Sequence, residues 1–536
     1  MRISTQQYFE TSSAKYQSNY SSVVKAQDQA SSGVRVQTAA DDPVAAARLL
    51  MLQQQKDMLA QFNGNIDTLK SSLNNQESVL ENIGVALQTA SELALKAGNV
   101  GISDADRKAI ADSIGSIQDQ VLGLLNSKDA SGNYLFSGSK ADTAPYSRNN
   151  DGTYSYQGDD TPLSLKVAQD LSISMGDTAK TMLEGSANTG RTQTTRVLVP
   201  PEVDDGKVAV SAGLIASGAS YSSSFSDGQP YKLTFISSTQ YSVSDNTGKD
   251  ITSEIPGNGV FDASKEGASS ISLRGVKFDI SLNLGKDTLG QDVLPGAPSD
   301  AIVKDREFSL SVKPDTFSVS RTPSNPTTAQ LSGGTVSDSA AYASTFPNSG
   351  VIVKFGVAGA YDVYAQPYTA ESKSIANGTL APGATSITAA GVTFDVTAAP
   401  APASGDQFSI GSTSNKNENV LDTLSHLRKV LETPSDGNLI AQKELKDVVA
   451  RSIGNLTNAK GQIAQVRGAG AARLNALEIQ TQENTSLGIA NTSTMSSLGN
   501  VDMAEAAINL TLQQTMLQAS QLAFVKISQL SLFNKM

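Results

Sequence analysis

The sequence predicts an α+β multi-domain chain: a long helical bundle or coiled coil built from both chain ends, with inserted β-rich outer domains. Three observations predict it. Apolar residues recur every seven positions near both ends, the interior turns to short alternating runs, and 536 residues with 39% hydrophobic content can fill several cores.

From Thr5 to Ser32, Phe9, Tyr16, Val23 and Ala30 fall at intervals of seven, with Tyr20 on the adjoining position, as a coiled-coil seam requires. Gly33 stops that helix. After Gln37-Thr38-Ala39-Ala40-Asp41, Asp42 is placed to cap a second helix whose first residue, Pro43, needs no hydrogen-bonded N–H. Leu52, Leu59, Ile66, Leu73, Leu80 and Leu87 hold one heptad position there, and Phe62, Leu69, Ile83 and Ala90 hold another. Continued to Ala97, the helix reaches about 80 Å. Gln76 interrupts the second row, where a polar residue can set register at a cost in stability. Gly98-Asn99 ends the rod, and a shorter helix with Ile110, Ile114, Ile117, Val121 and Leu124 on one face returns alongside.

The carboxyl end mirrors this pattern. Leu445, Val449, Leu456, Ile463, Val466, Leu474 and Leu477 define another apolar stripe. Asp502 and Glu505 frame a capping-box-like start, after which Met503, Leu510, Leu517 and Phe524 recur every seven residues. Isolated helices are marginal in water, so two seams at opposite ends of a chain need partners. Phe9, Tyr16, Val23, Met503, Leu510, Leu517 and Phe524 are the expected assembly interface, within and between subunits.

Between about 141 and 412 the chain is rich in Gly, Ser, Thr and Asp, with alternating runs such as Tyr231-Lys232-Leu233-Thr234-Phe235 that read as strands. A duplication is visible. Phe235, Tyr241 and Val243 match Phe355, Tyr361 and Val363; Gly275-Val276-Lys277-Phe278-Asp279-Ile280 matches Gly391-Val392-Thr393-Phe394-Asp395-Val396; Glu307-Phe308-Ser309-Leu310 matches Gln407-Phe408-Ser409-Ile410. The first copy carries an insertion after Ile280. Two related β modules are expected, at 191–313 and 348–414, joined by a linker at 314–347 rich in Pro, Ser and Thr. The helical parts divide into a terminal-helix assembly domain, 1–42 plus 500–536, and a helical core domain, 43–190 plus 415–499.

Composition excludes several functions. Lys and Arg total 41 against 52 Asp and Glu, a net charge of -11, so neither nucleic acid nor an anionic membrane is expected as a partner. No stretch is apolar and long enough for membrane insertion, and no secretory signal opens the chain; export would take another route. With no cysteine and one histidine, His426, the common zinc sites cannot be built within one chain. His426 lies in a helical stretch without a catalytic constellation. Asp159-Asp160 and Asp204-Asp205-Gly206 lack a full calcium-loop spacing and read as turn acids. Arg467-Gly468-Ala469-Gly470-Ala471-Ala472 lies inside a helical stripe, not between strand and helix as dinucleotide binding requires. No catalytic residue, cofactor or metal is expected, and the chain does not read as an enzyme.

Ala30-Ser31-Ser32-Gly33-Val34-Arg35 followed by Asp41-Asp42-Pro43 resembles the amino-terminal signature of the flagellin superfamily. Asp502-Met503-Ala504-Glu505-Ala506, and the stretch from Arg467 through Arg473 and Leu474 to Asn475, are similar to its carboxyl-terminal signatures. Gly132-Asn133-Tyr134-Leu135-Phe136-Ser137-Gly138 is similar to the segment marking members that join the flagellar hook to the filament. The likeness covers about residues 1–180 and 415–536, outside the duplicated middle. Its motif positions here are Gly33, Arg35, Asp42, Pro43, Tyr134, Leu135, Phe136, Gly138, Arg473 and Asn475.

The resemblance implies a structural subunit that assembles through its terminal helices into a ring on which flagellin polymerises. It implies as partners the first hook-associated protein, flagellin, further copies of itself, and a flagellar export chaperone before secretion. It further implies an extracellular location at the hook-filament boundary, reached through the flagellar type III apparatus with the amino terminus uncleaved. Met1-Arg2-Ile3-Ser4 and the ending Leu530-Ser531-Leu532-Phe533-Asn534-Lys535-Met536 depart from the flagellin pattern. A flagellin filament subunit, or a secreted adhesin carried by the β modules, are the alternatives.

Overall fold

The computed structural model describes residues 2–99, 101–149, 152–262, 269–286, 293–347, 349–369, 371–396, 400–413 and 415–533. Met1 and 534–536, the outermost residues of the start and the ending that depart from the flagellin pattern, lie outside them. Six helices carry the frame: α1 (Arg2–Ser32), α2 (Pro43–Ala97), α3 (Asp104–Leu125), α4 (Val420–Glu432), α5 (Leu439–Gly499) and α6 (Met503–Phe533). The heptads therefore become helix at both ends, and α5 runs unbroken through Gly468 and Gly470.

The chain divides into two compact units, one of residues 1–75, 163–176 and 469–536, the other of 76–162 and 177–468. The division falls inside α2 and α5 and not at residues 42 and 500, and the apolar packing accounts for it. In the first unit Ile66, Leu69, Leu73 and Leu477 share a small core with Val167 and Ile173 of the hairpin Ser164–Lys166/Ser172–Ser174. In the second, Leu80, Ile83, Leu87 and Ala90 of α2 pack with Ile110, Ile114, Val121 and Leu125 of α3, Leu424 and Leu427 of α4, and Leu456 and Ile463 of α5. Leu125, one position on from the expected Leu124, takes the buried place on α3.

The β region of the second unit holds two copies of one sandwich. In the first, β1 (Thr192–Val197), β2 (Val208–Val210), β3 (Tyr231–Phe235), β4 (Tyr241–Ser244), β5 (Ser269–Leu273), β6 (Val276–Leu282) and β7 (Glu307–Val312) form sheets ordered β1-β7-β3-β4 and β5-β6-β2. The second copy has β8 (Thr316–Arg321), β9 (Leu331–Val336), β10 (Val351–Phe355), β11 (Ala360–Ala365), β12 (Ser374–Thr379), β13 (Ser386–Ala389), β14 (Val392–Val396) and β15 (Gln407–Thr413). Its sheets run β8-β15-β10-β11-β12 and β13-β14-β9, the same order with one strand added at an edge, while the first copy has in addition the two-residue strand Leu214–Ile215 paired with β6. Each copy has its own core, around Leu233, Phe278 and Leu310 in the first and Val353, Phe394 and Ile410 in the second.

The correspondence reaches single bonds. Phe235 donates its N–H to the Arg306 carbonyl (3.0 Å) and Phe355 to that of Asp406 (2.8 Å). The tight turns β5–β6 and β13–β14 hold Arg274-Gly275 (φ 46° and 89°) and Ala390-Gly391 (φ 50° and 83°), the left-handed pair of a type I′ hairpin. A Cβ on either glycine would strike the backbone of the helical turn that follows β2 or β9, coming within 2.8 Å of the Ser217 carbonyl or 2.4 Å of the Tyr342 nitrogen.

The linker expected at 314–347 is not one. It contains β8, β9 and the helix Ser339–Thr345, which belong to the second sandwich. Its Ser and Thr residues alternate with Phe317 and Val319 and face outward, so a strand with one wet face carries the composition of a linker.

Both modules hang from one neck. The chain leaving the helices at 186–188 pairs with the chain returning at 416–418, through a bridge between Ala187 and Asn417 and bonds from Asn188 N–H to the Lys416 carbonyl (2.9 Å) and from Glu418 N–H to that of Ser186 (3.2 Å). The connection between modules comes back to the same place, where the Asn415 N–H donates to Asp315 Oδ1 at 2.8 Å.

Candidate assembly site

In the first unit α1 and α6 run antiparallel, with Phe9 near Phe524 and Val34 bridged to Asn500. Their turn regions form an elbow. Gly33 (φ 70°) ends α1 in the left-handed conformation that glycine adopts without a Cβ penalty, and a Cβ there would meet nothing within 4 Å. The Arg35 N–H donates to the Gly499 carbonyl (2.7 Å) and the Val501 N–H to that of Gly33 (2.9 Å).

The Arg35 guanidinium joins two helix ends. Nη2 donates to the Leu498 carbonyl (2.8 Å) in the last turn of α5, where a cation meets the negative end of the dipole, and Nη1 reaches Asp42 Oδ2 (3.3 Å). Asp42 caps α2 by accepting from the Ala45 N–H (3.0 Å); that bond, helped by Arg35, holds its carboxyl below the usual range. Asp41 pairs with Lys25 of α1 at 2.6 Å and accepts from the Thr38 N–H at 2.9 Å, and Lys25 foremost brings its pKa down to about 2. Gly33, Arg35, Asp42 and Pro43 thus meet in one elbow.

Along the α1–α6 seam the Phe9 and Phe524 rings lie 5.3 Å apart, Tyr16 stacks on Phe524 at 6.1 Å, and Val23 is buried. Leu510, Leu517 and Phe524 are half-buried on the facing side. Met503 does not join them. It lies in the first turn of α6 and is 59% exposed, while Ala506, three residues on, makes the buried contact at that end. Ile508, Leu512, Met516, Leu522 and Val525 occupy the outer side of α6 and are exposed. The sevenfold pattern did not single them out, because their spacings of four, four, six and three residues keep no heptad.

The remaining motif residues lie elsewhere. Arg473 is half-buried and Asn475 exposed on α5. In the second unit, Phe136 is fully buried, and its carbonyl accepts from the Tyr156 hydroxyl (3.0 Å) and the Ala179 N–H (3.0 Å). Lys128 Nζ sits 4.4 Å over the Tyr134 ring. Gly138 (φ 69°) admits no side chain, because a Cβ would fall 2.3 Å from Asp159 Oδ1. The Leu135 carbonyl accepts from Gln76 Nε2 (2.9 Å), while Gln76 Oε1 accepts from the Asp177 N–H (3.3 Å). Gln76 leaves the heptad in order to bind this loop.

The turn acids have protein partners. Asp204 and Asp205 are held by Arg196, with Arg306 also on Asp205, and Asp160 is paired with Lys180 at 2.9 Å. His426 Nδ1 lies 2.9 Å from Glu418 Oε1. Among the described residues no group of three His, Cys, Asp or Glu could hold a metal, and no helix is long and apolar enough to cross a membrane.

Fold and elbow together define a protein of long helices with β-rich insertions, whose terminal helices pair along one face and leave another apolar face exposed. Residues 3–141 match the family described as bacterial flagellin N-terminal helical region. Flagellar hook-associated protein 3 of Salmonella typhimurium is 35% identical over 187 residues, 34% of this chain and 55% of that protein. The protein of the same name from Escherichia coli is 36% identical over 149 residues, 27% of this chain and 46% of that one. The chain thus spans about half the length of the curated relatives it matches. Flagellar hook associated protein-3 from Legionella pneumophila superposes with a TM-score of 0.45 at 20% identity, over 84% of this chain and 98% of that one.

Proposed function

We propose that this chain is a structural subunit of the bacterial flagellum, and not an enzyme, that joins the hook to the filament. The observation that carries the reading is the double-faced α6. Ala506, Leu510, Leu517 and Phe524 pack toward α1, and a second apolar face still meets water. Burying one such Leu-sized side chain contributes about 1.5–3 kcal/mol, so a face of five can drive association of copies into a ring. The names of its relatives support the place in the flagellum.

In this reading the first hook-associated protein lies on one side of the ring and flagellin on the other. The chain is exported unfolded by the flagellar type III apparatus, with a dedicated chaperone holding its apolar termini beforehand, and acts outside the cell at the hook-filament boundary. The terminal helices do the assembling, and the β modules face solvent.

Deletion of the gene tests the reading. Cells should make hooks, lack filaments and shed unpolymerised flagellin, and antibody should label only the hook-filament boundary. Loss of the major flagellin band from the medium, with labelling along whole filaments in the parent strain, would make the chain a filament subunit instead.

A further inference from the structure

The two β modules carry the same dipeptide on two different backbones. Asn-Gly occurs in the chain at 63–64, 258–259 and 377–378. The last two pairs follow the matched tyrosines Tyr241 and Tyr361, and their glycines press on those residues: a Cβ on Gly259 would strike the Tyr241 carbonyl, and one on Gly378 the Tyr361 hydroxyl. Asn377-Gly378 lies in β12, with Gly378 opposite Tyr361 in the ladder. Asn63-Gly64 lies inside α2, where Asn63 Oδ1 accepts from Asn484 Nδ2 at 3.2 Å. Asn258-Gly259 is instead the corner of a turn, closed by the Val260 N–H on the Gly257 carbonyl (3.0 Å), with φ of 46° and 78° at its two central residues. Asn258 is exposed, and among the described residues neither its side-chain amide nor the Gly259 N–H has a hydrogen-bond partner.

We propose that Asn258 is a site of spontaneous deamidation in the folded protein, and that the fold protects the other two pairs. The Gly259 nitrogen attacks Asn258 Cγ. The N–Cγ bond forms, the Cγ–Nδ2 bond breaks, and the Gly259 amide proton leaves with the side-chain nitrogen as ammonia. Water then opens the five-membered imide at either carbonyl, giving aspartate or isoaspartate and one new carboxylate. Glycine suits the attacking position because no Cβ shields its nitrogen. At Gly259 no backbone hydrogen bond has to break first, whereas helix and ladder hold Gly64 and Gly378. Isoaspartate carries the main chain through Cβ and Cγ, one methylene longer, into a glycine seat that has no room for an added carbon. That product breaks the bond from the Tyr241 N–H to the Gly259 carbonyl (2.8 Å) and loosens Phe261, which is buried against Phe235 (5.7 Å) and Tyr241 (6.0 Å). The first module therefore ages at this turn, and the second keeps its matching pair intact.

The test holds the full-length folded chain at mildly alkaline pH and body temperature, beside a sample unfolded in denaturant. Peptide mapping by mass spectrometry follows the conversion of amide to acid, and enzymatic methylation detects isoaspartate. In the folded chain Asn258 should convert at least about tenfold faster than Asn63 or Asn377, the factor that one retained backbone hydrogen bond supplies, and unfolding should bring the three rates together. Equal rates in the folded chain, or an unreacted Asn258 where the unfolded chain converts, would overturn the proposal. Asn258→Gln should abolish the mass change in that peptide, and a change that persists would move the reaction to another residue. Hydrogen exchange reads the consequence: the aged parent should lose protection at the Tyr241 and Phe261 N–H groups while Asn258→Gln, aged alike, keeps it. Full protection in a converted sample would show that the turn absorbs the longer chain and would overturn the loosening of Phe261.

Discussion

Arg35 and Leu498 are 463 residues apart in sequence and joined by a 2.8 Å bond from guanidinium to carbonyl. This bond and the Asp42 contact let one side chain hold the end of α5 to the start of α2. Arg35→Ala should cost roughly 1–2 kcal/mol and open the elbow to protease. Arg35→Lys should recover little, since an ammonium cannot span both acceptors in the guanidinium's fork. Hydrogen exchange across 495–501 checks this, and unchanged protection in both variants would remove Arg35 from the elbow.

The elbow should also respond to acid. Asp41 and Asp42 have folded pKa values below their unfolded ones, Asp41 at about 2, so their contribution is complete above the ordinary carboxylate value near 4 and is lost as pH falls from there toward 2. Protease sensitivity of 33–42 should rise through that window, and Asp41→Asn should show raised sensitivity already at neutral pH with a flatter acid response. A parent profile flat from pH 5 to pH 2 would contradict the assignment.

Gln76→Leu separates two accounts of one position. By heptad logic leucine repairs the row and stabilises the helix. The bonds to Leu135 and Asp177 argue the reverse: removing the amide takes a hydrogen bond from a part-buried carbonyl and a part-buried N–H, at a cost of about 1 kcal/mol or more. A fall in the denaturant midpoint is expected.

In the terminal seam, Leu517→Glu places a charge on the half-buried side facing α1 and should sharply reduce incorporation into flagella, leaving the β modules folded. Met503→Glu is the control. At 59% exposure its effect on the α1–α6 pairing should stay within about 0.5 kcal/mol. Equal loss of pairing in both variants, read by helix content of the purified chain, would mean the seam runs through Met503 after all.

These contrasts mark what periodicity could and could not reveal. Sevenfold spacing located α1, α2, α5 and α6, because a helix that buries one face must repeat. It missed the purpose of Gln76, whose partners are more than 50 residues away, and it did not show that Met503, in the first turn of α6, stays exposed in the single copy. The duplication was legible through Phe, Tyr and Val facing two cores. Its first strands in the second copy were hidden, because outward Ser and Thr imitate a linker. Arg35 and Asp42 were legible as a motif, but that Arg35 also ties Asp42 and α2 to the end of α5 follows only from tertiary structure.

The neck at Ala187 and Asn417 brings the two ends of a long excursion into hydrogen-bonding distance, and among the described residues the helical core takes none of its buried apolar side chains from between Leu183 and Val420. That core does not itself register how much chain lies beyond the neck, and the first sandwich meets α5 only at its near side, where Gly206 lies beside Leu439 and Gly190 beside Arg451. Chain farther out than that contact is thereby free to change in length and content across generations.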